Sequence, residues 1–131
     1  MIIGALKEIF EGEARVAMTP DSATQLRKLG HACVIEAGAG AAAGFGDAAY
    51  AAAGVEVLAD AAAVFGAADV LVKVRGPEMS EAAQLRKGQT LISFIWPAQN
   101  AELLDLCRER GATVVAMDMV PRISRAQKMD A

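Results

Sequence analysis

The sequence predicts an α/β fold: a mostly parallel, twisted sheet with helices on both faces, a Rossmann-like or flavodoxin-like lobe. Short β-branched runs alternate with short helical stretches along the whole chain. Glycine, or a capping residue followed by proline, marks most of the transitions. No fixed-period repeat or linker-like segment interrupts the alternation before Val120. Strands separated by helices imply βαβ units and parallel pairing, with right-handed crossovers.

Ile2–Leu6 reads as the first strand. Thr19-Pro20-Asp21-Ser22 starts a helix: threonine supplies an N-cap oxygen, proline suits the first helical position, and an acid favours the first turn. Leu26 and Leu29 recur at helical spacing and Gly30 ends the helix. Ala32–Glu36 is the second strand. After a glycine-rich stretch over 38–46, Asp47–Ala53 reads as a short helix closed by Gly54, and Val55–Leu58 as a strand. Asp60 caps an alanine-rich helix ending near Ala67. Asp69–Val74 is an apolar strand, Glu81–Lys87 a helix, Thr90–Ile95 a strand, Ala101–Arg110 a helix stopped by Gly111, and Thr113–Met117 the last strand.

At 131 residues the chain holds one domain. Much of its hydrophobic fraction of 54% is alanine. The core energy therefore rests on Ile, Val, Leu, Met and Phe, at roughly 1.5–3 kcal/mol for each fully buried large side chain. Net charge is −3 with both signs scattered, so the basic stripe of a nucleic-acid binder is missing. No apolar run has the length of a membrane span; the best, Ala41 to Val57, is broken by Asp47. Lys7-Glu8 directly after the first strand is unlike a signal peptide. Cys33, Cys107 and the single histidine, His31, lack metal-ligand spacing, so no metal site is expected and a reducing cytoplasmic setting fits.

Gly38-Ala39-Gly40-Ala41-Ala42-Ala43-Gly44 follows a strand and imitates a dinucleotide-binding fingerprint, in which glycines let backbone N–H groups approach a pyrophosphate. Its last spacing is off by one unless Ala43 takes the place of the third glycine. It follows the second strand, and no acid ends the next strand to hold a ribose. The reading adopted is a Gly/Ala-rich turn that lets backbone pack closely, with a cofactor cradle as the alternative.

Ligands of open parallel sheets gather beyond the carboxyl ends of the strands. There, Lys73 and Arg75 close the fourth strand ahead of Gly76-Pro77. Lys73 points opposite to Val72 and Val74, and is either a solvated edge residue or an anion-binding group in a crevice. Arg15 lies in the loop after the first strand. It either converges with Lys73 on a carboxylate or carboxamide, or pairs with Glu11 or Glu13. Ser124 and Gln127 have capping-box spacing, and Gln127 and Asp130 share a helical face beyond Arg122. That corner is either a capped surface helix or a ligand contact.

These segments carry a family resemblance. Lys7-Glu8, Glu13-Ala14-Arg15-Val16-Ala17-Met18-Thr19-Pro20, Val72-Lys73-Val74, Ser93-Phe94-Ile95-Trp96-Pro97-Ala98-Gln99-Asn100 and the run from Met117 to Gln127 resemble the N-terminal part of the proton-translocating NAD(P) transhydrogenase alpha subunits, relatives of the alanine dehydrogenases. The resemblance covers essentially the whole chain. It implies that Arg122, Gln127 and Asp130 contact the nicotinamide end of NAD(H), and that NADP(H) binds a partner domain or subunit. It implies membrane-spanning and NADP-binding partners, a homodimer of the full-length subunit, and a place on the cytoplasmic side, peripheral to the inner or plasma membrane. It also implies that residues 1–131 form an N-terminal lobe whose dinucleotide-binding Rossmann domain is absent from this chain.

In alanine dehydrogenases, Arg15 and Lys73 match residues that hold the substrate, and a catalytic histidine follows the strand that here ends at Ile95. Trp96 stands at that place. Indole cannot act as a general acid or base, so amine oxidation lacks its proton shuttle, whereas hydride transfer between nicotinamides needs none. The expected function is therefore transhydrogenation with no acid/base residue in this chain. The alternatives are an alanine-dehydrogenase-like enzyme and a non-catalytic α/β interaction module.

Overall fold

The computed structural model describes residues 1–95 and 100–117. They form a six-stranded sheet with helices on both sides. The strands are β1 (Ile2–Ala5), β2 (Ala32–Glu36), β3 (Glu56–Leu58), β4 (Val70–Val72), β5 (Thr90–Ser93) and β6 (Thr113–Ala116). The helices are α1 (Pro20–Lys28), α2 (Asp47–Ala52), α3 (Ala61–Ala67), α4 (Met79–Ala82) and α5 (Ala101–Glu109), with a 3-10 turn over Ala41–Ala43. The strand order is β3-β2-β1-β4-β5-β6, and every pairing among the described residues is parallel. This is the order of doubly wound, Rossmann-like folds, with the direction of winding reversing between β1 and β4.

Strand alternation sorts the core into two layers. Ile3 and Ala5 of β1, with Cys33 and Ile35 of β2, face α1 and α2 and pack around Ala23 and Tyr50. Leu6, Val34, Leu71 and Leu91 face the other way, onto Val64 and Phe65 of α3, Ala82 of α4, and Leu103 and Cys107 of α5. The two windings run in opposite directions with their helices on opposite faces, which gives all crossovers the same hand. Gly4 lets α3 approach β1 closely: a methyl group there would lie 2.8 Å from Val64 Cγ1 and 2.9 Å from Ala68 Cβ.

The local signals explain most element ends. Thr19 Oγ1 accepts from Ser22 N at 3.1 Å, and Ser22 Oγ accepts from Thr19 N at 2.9 Å, a reciprocal cap that starts α1. Asp60 Oδ1 accepts from Ala63 N at 2.9 Å and starts α3. The helix expected over Glu81–Lys87 is instead the four-residue α4. Glu81 turns back to accept from Glu78 N at 2.8 Å, and Gln89 Oε1 takes the Arg86 N–H at 2.7 Å. Those side chains capture N–H groups and replace the expected helix with turns. The regular ladders also end before the expected Leu6, Val74, Ile95 and Met117.

Among the described residues, no helix covers one half-face of the sheet. On the α1 side, α1 reaches as far as Val72 of β4. Beyond it, Phe94, Val115 and Met117 are 36%, 38% and 44% exposed.

Candidate functional site

The site lies at the carboxyl ends of β1 and β4, where the winding reverses. The segment 7–19 leaves β1 as a strap without regular structure, and the residues after β4 receive it. Glu8 joins the two. Its carboxylate accepts from Val74 N at 2.8 Å, from Arg75 N at 3.0 Å and from the Lys73 ammonium at 3.1 Å. Glu81 of α4 stands 3.6 Å from the same ammonium. Lys73 is only 4% exposed. It is therefore no solvated edge residue: it shares a face with Leu71, turned toward α4, and is held between two carboxylates.

Burial pushes the Glu81 carboxyl above the ordinary carboxylate range, partly opposed by the Glu78 N–H and by Lys73. Ser93 follows the same parity on the neighbouring β5. It is buried, and its Oγ has no hydrogen-bond partner among the described residues. Two carboxylates, one ammonium and one hydroxyl thus converge below the end of the sheet. This arrangement fixes the strap and offers an anion only what Glu8 already occupies.

Arg15 takes the ion-pair alternative and also borders a cleft. Its Nε and Nη2 donate to the two Glu13 oxygens at 2.9 and 2.7 Å. Glu13 Oε1 also accepts from Arg75 Nε at 2.8 Å, and Arg75 stacks on the Phe10 ring at 4.1 Å. Hydrogen bonds from Arg15, then from Arg75, hold the Glu13 carboxyl far below its ordinary range. Arg15 and Lys73 line one cleft of about 420 Å³, whose floor is apolar through Val72, Ile92, Phe94 and Met117. The Lys73 ammonium is engaged by carboxylates, whereas the Arg15 side chain is 65% exposed. A second cavity of about 750 Å³ opens between Phe10, the turn from Gly76 to Met79, and the start of α5.

The glycine-rich stretch is a packed turn. Gly40 lies under Tyr50, where a Cβ would come within 2.6 Å of the ring and 2.8 Å of the Phe45 carbonyl. The Gly38 N–H is taken by Asp47 Oδ1 at 2.9 Å, and α2 begins only at Asp47. Donors that a pyrophosphate would need are therefore spent or displaced.

Trp96, Arg122, Gln127 and Asp130 lie outside the described residues. Sequence reasoning missed Glu8, Glu81 and Ser93 as neighbours of Lys73. The only available signal was parity, which put Lys73 on the helix-covered face and so demanded a counter-charge without naming it. Among the described residues, no three His, Cys, Asp or Glu side chains gather as a metal site. No helix among them is long and apolar enough to cross a membrane. Burial raises the pKa of both thiols, Cys33 and Cys107.

Comparison with known proteins gives this arrangement a lineage. The chain is 80% identical over all 131 residues to the NAD(P) transhydrogenase subunit alpha of Cereibacter sphaeroides, covering 25% of that protein. It is 39% identical over 120 residues to the alanine dehydrogenase of Bacillus subtilis, covering 92% of this chain and 32% of that one. The crystal structure of transhydrogenase from Sinorhizobium meliloti superposes with a TM-score of 0.91 at 38% identity, over 99% of this chain and 39% of that one. The chain thus spans about a quarter to a third of the length of these curated relatives. The family model described as "Alanine dehydrogenase/PNT, N-terminal domain" matches residues 4–131, and the chain belongs to that family.

Proposed function

We propose that this chain is the N-terminal lobe of the NAD(H)-binding subunit of a nicotinamide nucleotide transhydrogenase. Its dinucleotide-binding Rossmann domain lies elsewhere in the full-length subunit. The reaction is hydride transfer between NAD(H) here and NADP(H) on a partner domain or subunit, coupled to proton translocation by membrane-spanning partners. In this reading the full-length subunit is a homodimer, peripheral to the cytoplasmic face of the membrane. Arg122, Gln127 and Asp130 contact the nicotinamide end, and the lobe orients that ring while excluding water.

The observation that carries the choice between the two branches of the family is the 80% identity to a transhydrogenase subunit against 39% to an alanine dehydrogenase. Geometry supports it. The one histidine in the sequence, His31, precedes β2 at the amino end of the sheet, opposite the Arg15 cleft. Lys73 is held by Glu8 and Glu81. The described cleft therefore offers amine oxidation no imidazole with which to move a proton.

The test is a paired assay of the full-length protein assembled with its partners. The expected result is reduction of an NAD⁺ analogue by NADPH, with no NADH formed from alanine and NAD⁺. Alanine-dependent NADH formation would transfer the assignment to the dehydrogenase branch. The 131-residue chain alone should bind NADH weakly or not at all by titration calorimetry, since the nucleotide's own domain is elsewhere.

A further inference from the structure

We infer that Glu13, anchored by Arg75, is a positioning residue that aims Arg15 into the cleft as a ligand-reading group. This rests on the proposal that the cleft belongs to the NAD(H) site. Four donors converge on the Glu13 carboxylate: Arg15 N at 2.8 Å, Arg15 Nε at 2.9 Å, Arg15 Nη2 at 2.7 Å and Arg75 Nε at 2.8 Å. Arg15 alone is a mobile, exposed side chain. Gripped along its Nε–Nη2 edge, it is a planar group of fixed direction. Its Nη1 has no hydrogen-bond partner among the described residues, and Arg15 borders a cleft with an apolar floor. Glu13 itself cannot drift. Its side chain is only 4% exposed, and Arg75 is fixed by the Phe10 ring and by its backbone N–H on Glu8.

Such a carboxylate does two things. It orients the guanidinium before the ligand arrives, so less freedom is lost on binding. It also cancels part of the positive charge, which suits Arg15 to a neutral or singly charged planar acceptor, such as a ring carboxamide. A multiply charged phosphate suits it less.

The test uses the full-length subunit and NADH as the probe, with dissociation constants for wild type, Arg15→Gln, Glu13→Gln and the Glu13→Gln/Arg15→Gln double variant. Each single change is expected to weaken binding about tenfold, and the double variant to bind no worse than Arg15→Gln, because Glu13 acts through Arg15. A merely structural Glu13 would weaken binding in both backgrounds. Arg75→Gln, which leaves the Glu13–Arg15 pair intact, should give an intermediate loss and provides a second route if Glu13→Gln fails to fold. Wild-type binding combined with an unaffected Arg15→Gln, or with losses that multiply in the double variant, overturns the inference alone. Absence of NADH binding to wild type overturns the functional proposal and this inference with it.

Discussion

Glu13 and Glu81 answer acid in opposite senses because their surroundings differ. Glu13 is ringed by guanidinium and N–H donors, so its carboxyl titrates below the ordinary range. Its contribution to stability is present above that range and is progressively lost as pH falls below it. Glu81 is raised chiefly by burial, so the fold favours its protonated form. Its contribution is present in acid and is lost as pH rises from the ordinary carboxylate range through its raised value. In urea unfolding, the stability gap between wild type and Glu13→Gln should therefore shrink on acidification below the carboxylate range. A gap constant from neutral pH into acid would mean that Glu13 contributes nothing as an anion. Lys73→Met strands two buried carboxylates and should cost about 3–5 kcal/mol, with Lys73→Met/Glu8→Gln recovering part of the loss. The sequence left Lys73 open between solvent and crevice, since its partner Glu8 lies 65 residues away. It also paired Arg15 with Glu11 or Glu13 as one option, because that contact is local. Contacts of short sequence range were legible; the counter-ion across the sheet was not.

Among the elements, those with caps written next to them were read nearly to the residue. α1 and α3 start where Thr19 and Asp60 offer an oxygen, and β2 has the expected bounds. α4 was misplaced because its start depends on Glu78 and Glu81 closing on each other, and its end on the Gln89 side chain. The close-packed turn of the glycine-rich stretch was legible, but its 3-10 form over Ala41–Ala43 was not, since the fit of Gly40 against Tyr50 is a contact across the fold. Gly4→Ala should destabilise the lobe by about 1–3 kcal/mol in thermal or urea melts, because α3 would have to move off β1. Tyr50→Phe leaves the Met18 carbonyl, now reached at 2.7 Å by the Tyr50 hydroxyl, without that donor. It should cost about 1–3 kcal/mol by the same measurement, whereas a change at exposed Leu29 should cost little.

For the whole molecule, parallel pairing and two covered faces followed from alternation alone, but the order of the strands did not. Periodicity says which side of a strand is apolar, and nothing local says that β1 is flanked by β2 and β4. The half-face beyond Val72 that no helix covers among the described residues is a property of that order, because crossovers of the same hand put their helices on opposite faces of the two windings. The isolated 131-residue chain should therefore bind a hydrophobic dye in its native state. Val115→Thr with Met117→Glu should lower that fluorescence without lowering the melting temperature, since both positions are well exposed. An unchanged dye signal would place the apolar surface elsewhere.

The central place of β1 also governs the order in which the fold can assemble. Ile2 N–H meets Asp69 Oδ2 at 2.7 Å across 67 residues of chain, at the same seam where β1 joins β4. During synthesis the first strand can pair early with β2, but its other flank stays open until the fourth strand has emerged. Closing so long a loop is slow compared with forming helices. A growing chain thus carries a bare backbone edge in what will become the middle of its sheet, and this is the interval in which wrong strand partners compete.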